Sequence, residues 1–137
     1  MMSVNYLAVL VSALASMVIG GIWYGPLFGK MFMKEMGMDK WSKEKQEAMK
    51  KSMGMSYLAQ FIASLVMFYV LAGLIAGFDH MSLNGGLLTA FLVWIGFVVP
   101  IKLGDAIWGG KKTLFWLGIG EMLVTLLASG AIIGMWK

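Results

Sequence analysis

Four long apolar runs, at about 4–24, 54–78, 83–103 and 113–136, leave this sequence few ways to fold. A helix that crosses a hydrocarbon core about 30 Å thick needs roughly 20 apolar residues, and each run meets that length. The only charged side chains inside them are Lys102 and Glu121. The expected fold is therefore an all-α membrane protein with four transmembrane helices, forming a single membrane domain over residues 1–137. Composition agrees: 60% of the residues are hydrophobic and 13% charged, a balance too apolar for a soluble domain of this size. With 18 Gly against 2 Pro, the chain suits close helix packing in lipid and argues against disorder.

Several function classes are excluded early. The chain has no Cys, so a disulfide framework, a thiolate zinc site and a cysteine nucleophile are all absent. His80 is the only histidine, which excludes multi-histidine sites. The net charge of +4 comes from Lys alone, and in a membrane protein it reads as topology and contact with anionic headgroups rather than nucleic-acid binding.

The first run looks like a retained helix, with Asn5 and Tyr6 at one interface and Trp23 and Tyr24 at the other. A cleaved signal peptide would want positive charge before it, and residues 1–5 have none. Pro26 is expected to end this helix. Residues 27–53 form the main polar segment, with Lys30, Lys34, Lys40, Lys43, Lys45, Lys50 and Lys51 set against Glu35, Asp39, Glu44 and Glu47. Within it, Asp39 is expected to cap an amphipathic interfacial helix reaching about Met53, with Trp41, Lys45 and Ala48 near one face. Asp79-His80-Met81-Ser82 reads as a tight turn, and Asp105, Lys111 and Lys112 surround Trp108-Gly109-Gly110 in the last loop. Lysines near membrane ends orient a protein, so both charged loops are expected in the cytoplasm and both termini outside. The elements at 23–30 and 108–112, each Trp-Gly followed by Lys, fit either a duplicated helix pair or the ordinary gathering of aromatic and Lys residues at a boundary; the second is favoured.

Candidate functional residues are few. Ala8, Ser12, Ser16 and Gly20 recur every fourth position, and Gly73 with Gly77 and Gly130 with Gly134 repeat the spacing. Such stripes let helix backbones approach, within one bundle first and between copies second. Glu121 is the sharpest single residue, because an ionised carboxylate inside an apolar span pairs or faces water. Lys102 sits at comparable depth with Asp105 one turn on, so Glu121 and Lys102 form a candidate pair: a structural ion pair docking the last two helices, or a proton or cation site in a transport path. Met31, Met33, Met36 and Met38 offer soft thioethers for Cu(I), but the interleaved lysines repel a cation and favour Met as adaptable filler. Asp79 and His80 supply too few ligands for a metal site. No phosphate loop or catalytic constellation occurs, and interfacial lipid chemistry could call only on Lys30, Lys34 and Asp105, so neither an enzyme nor a cofactor is expected.

The stretch 5–10, Asn-Tyr-Leu-Ala-Val-Leu, followed by Trp23-Tyr24-Gly25-Pro26-Leu27-Phe28-Gly29-Lys30, resembles the opening of a family of small bacterial four-helix membrane proteins, domain of unknown function 1761. Trp94-Ile95-Gly96-Phe97-Val98 and the small-residue ending from Ser129 to Trp136 extend the likeness along the chain. The resemblance implies four helices, a bacterial inner membrane and a cytoplasmic turn built from Trp23, Tyr24, Gly25, Pro26, Gly29 and Lys30. It carries no substrate, reaction or cofactor. Charge at Glu121 and around 104–112 departs from the family pattern. The expected role is a small membrane protein acting as a homo-oligomer or accessory subunit of a larger complex. The alternative is a small-solute, proton or cation transporter or channel, formed by several copies around Glu121 because one bundle of this size encloses little space.

Overall fold

The computed structural model describes residues 4–78, 81–109 and 111–136. The Asp79–His80 pair, Gly110 and Lys137 lie outside the described residues, as does the side chain of Asp39. The described residues form helices and turns: α1 (Tyr6–Leu27), α2 (Gly29–Met36), α3 (Lys43–Gly77), α4 (Leu83–Ile107) and α5 (Lys112–Met135). Four of them, α1, α3, α4 and α5, are long and apolar enough to cross a membrane. Short polar side chains start three of the four. Asn5 Oδ1 accepts the backbone N–H groups of Leu7 and Ala8 at 3.0 and 3.2 Å, Ser42 Oγ accepts that of Lys45 at 3.2 Å, and Ser82 Oγ accepts that of Gly85 at 2.9 Å.

Three boundaries differ from the sequence reading. The first span runs through Pro26 to Leu27, because the turn Trp23–Leu27 widens to π-type spacing, with the Phe28 N–H reaching the Trp23 carbonyl at 2.9 Å. That extra residue per turn gives the proline ring room without breaking the helix. A second wide turn, Trp94–Val98, precedes Pro100, and α4 continues to Ile107 rather than ending near Leu103. The separate interfacial helix expected over 39–53 is instead the first part of α3, which Ser42 caps in place of Asp39 and which passes through Gly54 unbroken. One glycine costs a helix only about 1 kcal/mol, and the Lys-, Glu- and Met-rich flank has strong helix propensity. At 1.5 Å per residue α3 is about 50 Å long, so its basic start projects beyond a core about 30 Å thick. The short amphipathic helix between the first two spans is α2, which ends at Gly37 with φ 73°, a left-handed conformation suited to glycine.

The spans alternate in direction, and α5 lies at the centre, packing most extensively on α4, then on α1, and less on α3. Tight packing belongs to the end that carries the α3–α4 turn. There Ala8, Val9 and Ala13 of α1 meet Phe68, Leu71, Ala72 and Ile75 of α3, Ala90 of α4, and Leu126 and Ile133 of α5. The α4–α5 seam needs its glycines: a β-carbon on Gly86 would strike the Gly130 carbonyl oxygen, one on Gly130 would strike that of Gly86, and one on Gly134 would strike that of Ser82. Gly130 and Gly134 thus serve a contact inside the chain. Ala8, Ser12 and Ser16 are buried; Gly73 is buried too, whereas Gly77 meets open space.

This packing predicts opposite effects at two glycines. Gly130→Val should lower stability by about 1–3 kcal/mol or more through overpacking. Gly54→Ala, where an added β-carbon has nothing within 4 Å, should raise it by up to about 1 kcal/mol. Thermal melts in one detergent check both signs.

Candidate functional site

At the basic end the four spans do not close. A cavity of about 550 Å³ lies between them, walled by Ser16, Gly20, Gly21, Tyr24 and Gly25 of α1, Tyr57, Gln60 and Ser64 of α3, Lys102 of α4, and Gly118, Glu121 and Thr125 of α5, with Met17, Met67 and Met122 filling between. Missing side chains make the space. A β-carbon on Gly21 or Gly25 would meet nothing within 4 Å, one on Gly20 would stand 3.7 Å from Glu121 Oε1, and one on Gly118 would stand 3.9 Å from Lys102 Cε. Gly25, Tyr57 and Lys102 are exposed and form the outer part, while buried Ser16, Ser64 and Thr125 form the floor.

Glu121 stands about 13 Å along α5 from Lys112, at 1.5 Å per residue. Its Oε1 accepts a hydrogen bond from Thr125 Oγ1 at 2.9 Å, one helical turn deeper. Lys102 faces the same cavity and its charge acts on Glu121, as the charge of Glu121 acts on Tyr24. Among the described residues, however, Lys102 and Glu121 form no direct ion pair, and the Lys102 amine has no hydrogen-bond partner. Asp105, grouped with them in the sequence, is exposed and outside the cavity.

Two indoles hold the segment that carries Glu121. Trp23 Nε1 donates to the Leu117 carbonyl at 3.1 Å, and Trp94 Nε1 donates to the Ile119 carbonyl at 2.8 Å. Both tryptophans open the wide turns of their helices, so α1 and α4 grip α5 in the same manner on either side of Gly118. A β-carbon on Gly120 would lie 2.9 Å from Trp23 Cζ2, which explains the glycine there. Trp94 thus stands to α5 as Trp23 does, whereas Trp108 is 89% exposed and makes no such contact.

The turn after α1 closes by local packing. Phe28 lies against Trp23 and Phe32 against Tyr24, each with ring centroids 4.8 Å apart. A β-carbon on Gly29 would stand 2.7 Å from the Tyr24 carbonyl oxygen, so this position has no room for a side chain. Lys30 and Lys34 are exposed, and Lys111 Nζ donates to the Glu35 carbonyl, tying α2 to the start of α5. The methionines divide: Met33 and Met38 line a separate groove of about 380 Å³ with Trp41, Met49 and Met53, while Met31 and Met36 are exposed outside it. Lys45 Nζ sits 4.3 Å from the centre of the Trp41 ring.

Sequence reading missed Tyr57, Gln60, Ser64 and Thr125 as members of this site. Gln60 is the only amide in its apolar run, and Thr125 follows Glu121 at i+4; those two signals were available.

Fold and site together define a four-span helical membrane protein with a charged and polar cavity inside one chain. The chain matches the family described as "Protein of unknown function (DUF1761)" over residues 7–134, and it belongs to that family. No curated protein and no solved structure matches it.

The absence of cysteine makes a clean accessibility test. Gly21→Cys should react with a charged, water-soluble thiol reagent, whereas Leu14→Cys, on an exposed apolar face of α1, should not react in a bilayer.

Proposed function

We propose that this protein binds and passes a small polar or cationic solute through the Glu121 cavity. The observation that carries the reading is a carboxylate on the wall of a cavity of about 550 Å³ within a membrane span. Ionisable groups at such depth are costly, and those that persist mark solute or proton paths. All of the residues that line the cavity come from one chain, so a site of this kind does not need several copies to form. The polar line also continues past the floor. Ser129 lies one turn beyond Thr125 on α5 and Ser12 one turn beyond Ser16 on α1, and among the described residues both buried hydroxyls have no hydrogen-bond partner. Unpartnered hydroxyls in the packed half supply stepping positions for water or a proton toward the far end.

The setting we propose is a bacterial inner membrane, with the basic loops and anionic headgroups on the cytoplasmic side and both termini outside. The cavity would then draw from the cytoplasm. A second reading, a homo-oligomer or an accessory subunit, is favoured by Gly77, Gly96 and Gly104 on α3 and α4, where an added β-carbon would meet none of the described residues within 4 Å. The mass of the complex from native nanodiscs distinguishes a monomer from a defined oligomer or a mixed complex.

Flux into liposomes, read with a pH dye and with uptake of methylammonium and, separately, of glycine, tests the main reading. Glu121→Gln should cut the flux at least about ten-fold, a loss of roughly 1.4 kcal/mol or more in the barrier, while Asp105→Asn leaves it unchanged. Equal flux in wild type and Glu121→Gln would contradict the proposal. Ser129→Ala should leave stability unchanged or improved, since it removes an unsatisfied buried hydroxyl, yet lower the flux. Unaltered flux in that variant would limit the path to the cavity itself.

A further inference from the structure

We infer that the Glu121 cavity is built for a zwitterion, a molecule or headgroup that carries an ammonium and an acid group together; this rests on reading the cavity as a solute site. Two ionisable groups of opposite type line one chamber, the Glu121 carboxyl from α5 and the Lys102 amine from α4. They come from different helices and do not meet. Among the described residues the Lys102 amine has no partner, and Glu121 is bonded only through Oε1, to Thr125.

The charge balance selects the ligand. A simple cation satisfies Glu121 but is repelled by Lys102, and a simple anion meets the reverse, so each brings an unbalanced charge into a span where net charge is costly. A zwitterion adds no net charge and completes two pairs at once, its ammonium on Glu121 and its acid group on Lys102. The Gln60 amide and the Tyr24 and Tyr57 side chains line the same cavity and can take the remaining ammonium protons or lie beside the cation. Lys102 stands about 8 Å along α4 from Ile107 and Glu121 about 13 Å along α5 from Lys112, so the ammonium end sits deeper. Such a ligand can arrive as a free amino acid from the basic side. It can also arrive as a lipid headgroup, because an apolar groove of about 390 Å³ between α3 and α4, lined by Val66, Val70, Val93 and Phe97, shares Met67 with the cavity.

Calorimetry on the intact chain in phosphatidylglycerol nanodiscs tests this, with glycine, β-alanine and γ-aminobutyrate as zwitterions of increasing length, and ethylamine and propionate as single-charge controls. One amino acid should bind at least about ten-fold more tightly than either control. Lys102→Gln should weaken it about ten-fold and tighten ethylamine, from which it removes a like charge. If the source is lipid, the soluble zwitterions fail to bind, and native mass spectrometry from phosphatidylethanolamine nanodiscs retains one lipid per chain, lost in Lys102→Gln and Glu121→Gln alike. Ethylamine binding as tightly as every amino acid, in wild type and Lys102→Gln, would overturn the inference and leave a cation site. Absence of binding by every probe and of retained lipid would overturn the cavity reading as well.

Discussion

A carboxylate placed inside an apolar helix is the most expensive group this chain commits to the membrane, and the surrounding architecture can be read as its accommodation. Ionised Glu121 cannot face lipid. It stands instead on the wall of a chamber where Thr125 bonds one oxygen and Lys102 supplies opposing charge. Glycines on α1 and α5 hold the chamber open, and the indoles of Trp23 and Trp94 fix the height of the segment through the carbonyls of Leu117 and Ile119. In lipid those indole N–H groups need partners, so one pair of bonds both satisfies them and registers three helices against each other.

The bundle is consequently asymmetric along its axis. At one end Gly86, Gly130 and Gly134 bring α4 and α5 into backbone contact, and Phe68, Leu71, Ile75, Leu126 and Ile133 fill the core. At the other end the same helices separate around polar side chains. A uniform bundle would have no interior to speak of. Concentrating the close packing at one end supplies the attraction that offsets the open, polar end, and it confines the chamber to the other half of the bundle. The widened turns at Trp23–Leu27 and Trp94–Val98 fall at the transition, where the prolines Pro26 and Pro100 would otherwise strain a regular helix.

The four spans, the basic segment and the prominence of Glu121 and Lys102 were legible because each is a local signal: an apolar run of bilayer length, a cluster of lysines, a charge where none is expected. Boundaries were less so. Pro26 and Gly54 are both breakers by propensity, but a wide turn absorbed the first and a strong helix-forming flank carried the chain past the second. The cavity itself could not be read from one helix at a time. Tyr57, Gln60 and Ser64 on α3 and Gly118 on α5 look like ordinary interface or packing residues until the crossing of four helices brings them together. Gly20 and Ser16 belong to a small-residue stripe in the sequence, and only the three-dimensional arrangement turns part of that stripe into a chamber wall.

The central claim is that Glu121 faces water inside a single chain, and carbodiimide labelling tests it most directly. The bilayer-embedded protein would be treated in parallel with a water-soluble and a lipid-soluble carbodiimide, and modified peptides mapped by mass spectrometry. The account predicts that the water-soluble reagent modifies Glu121, and that it does so equally in nanodiscs holding one copy. Modification by the lipid-soluble reagent alone would place the carboxylate against lipid or in a sealed pair and contradict the account.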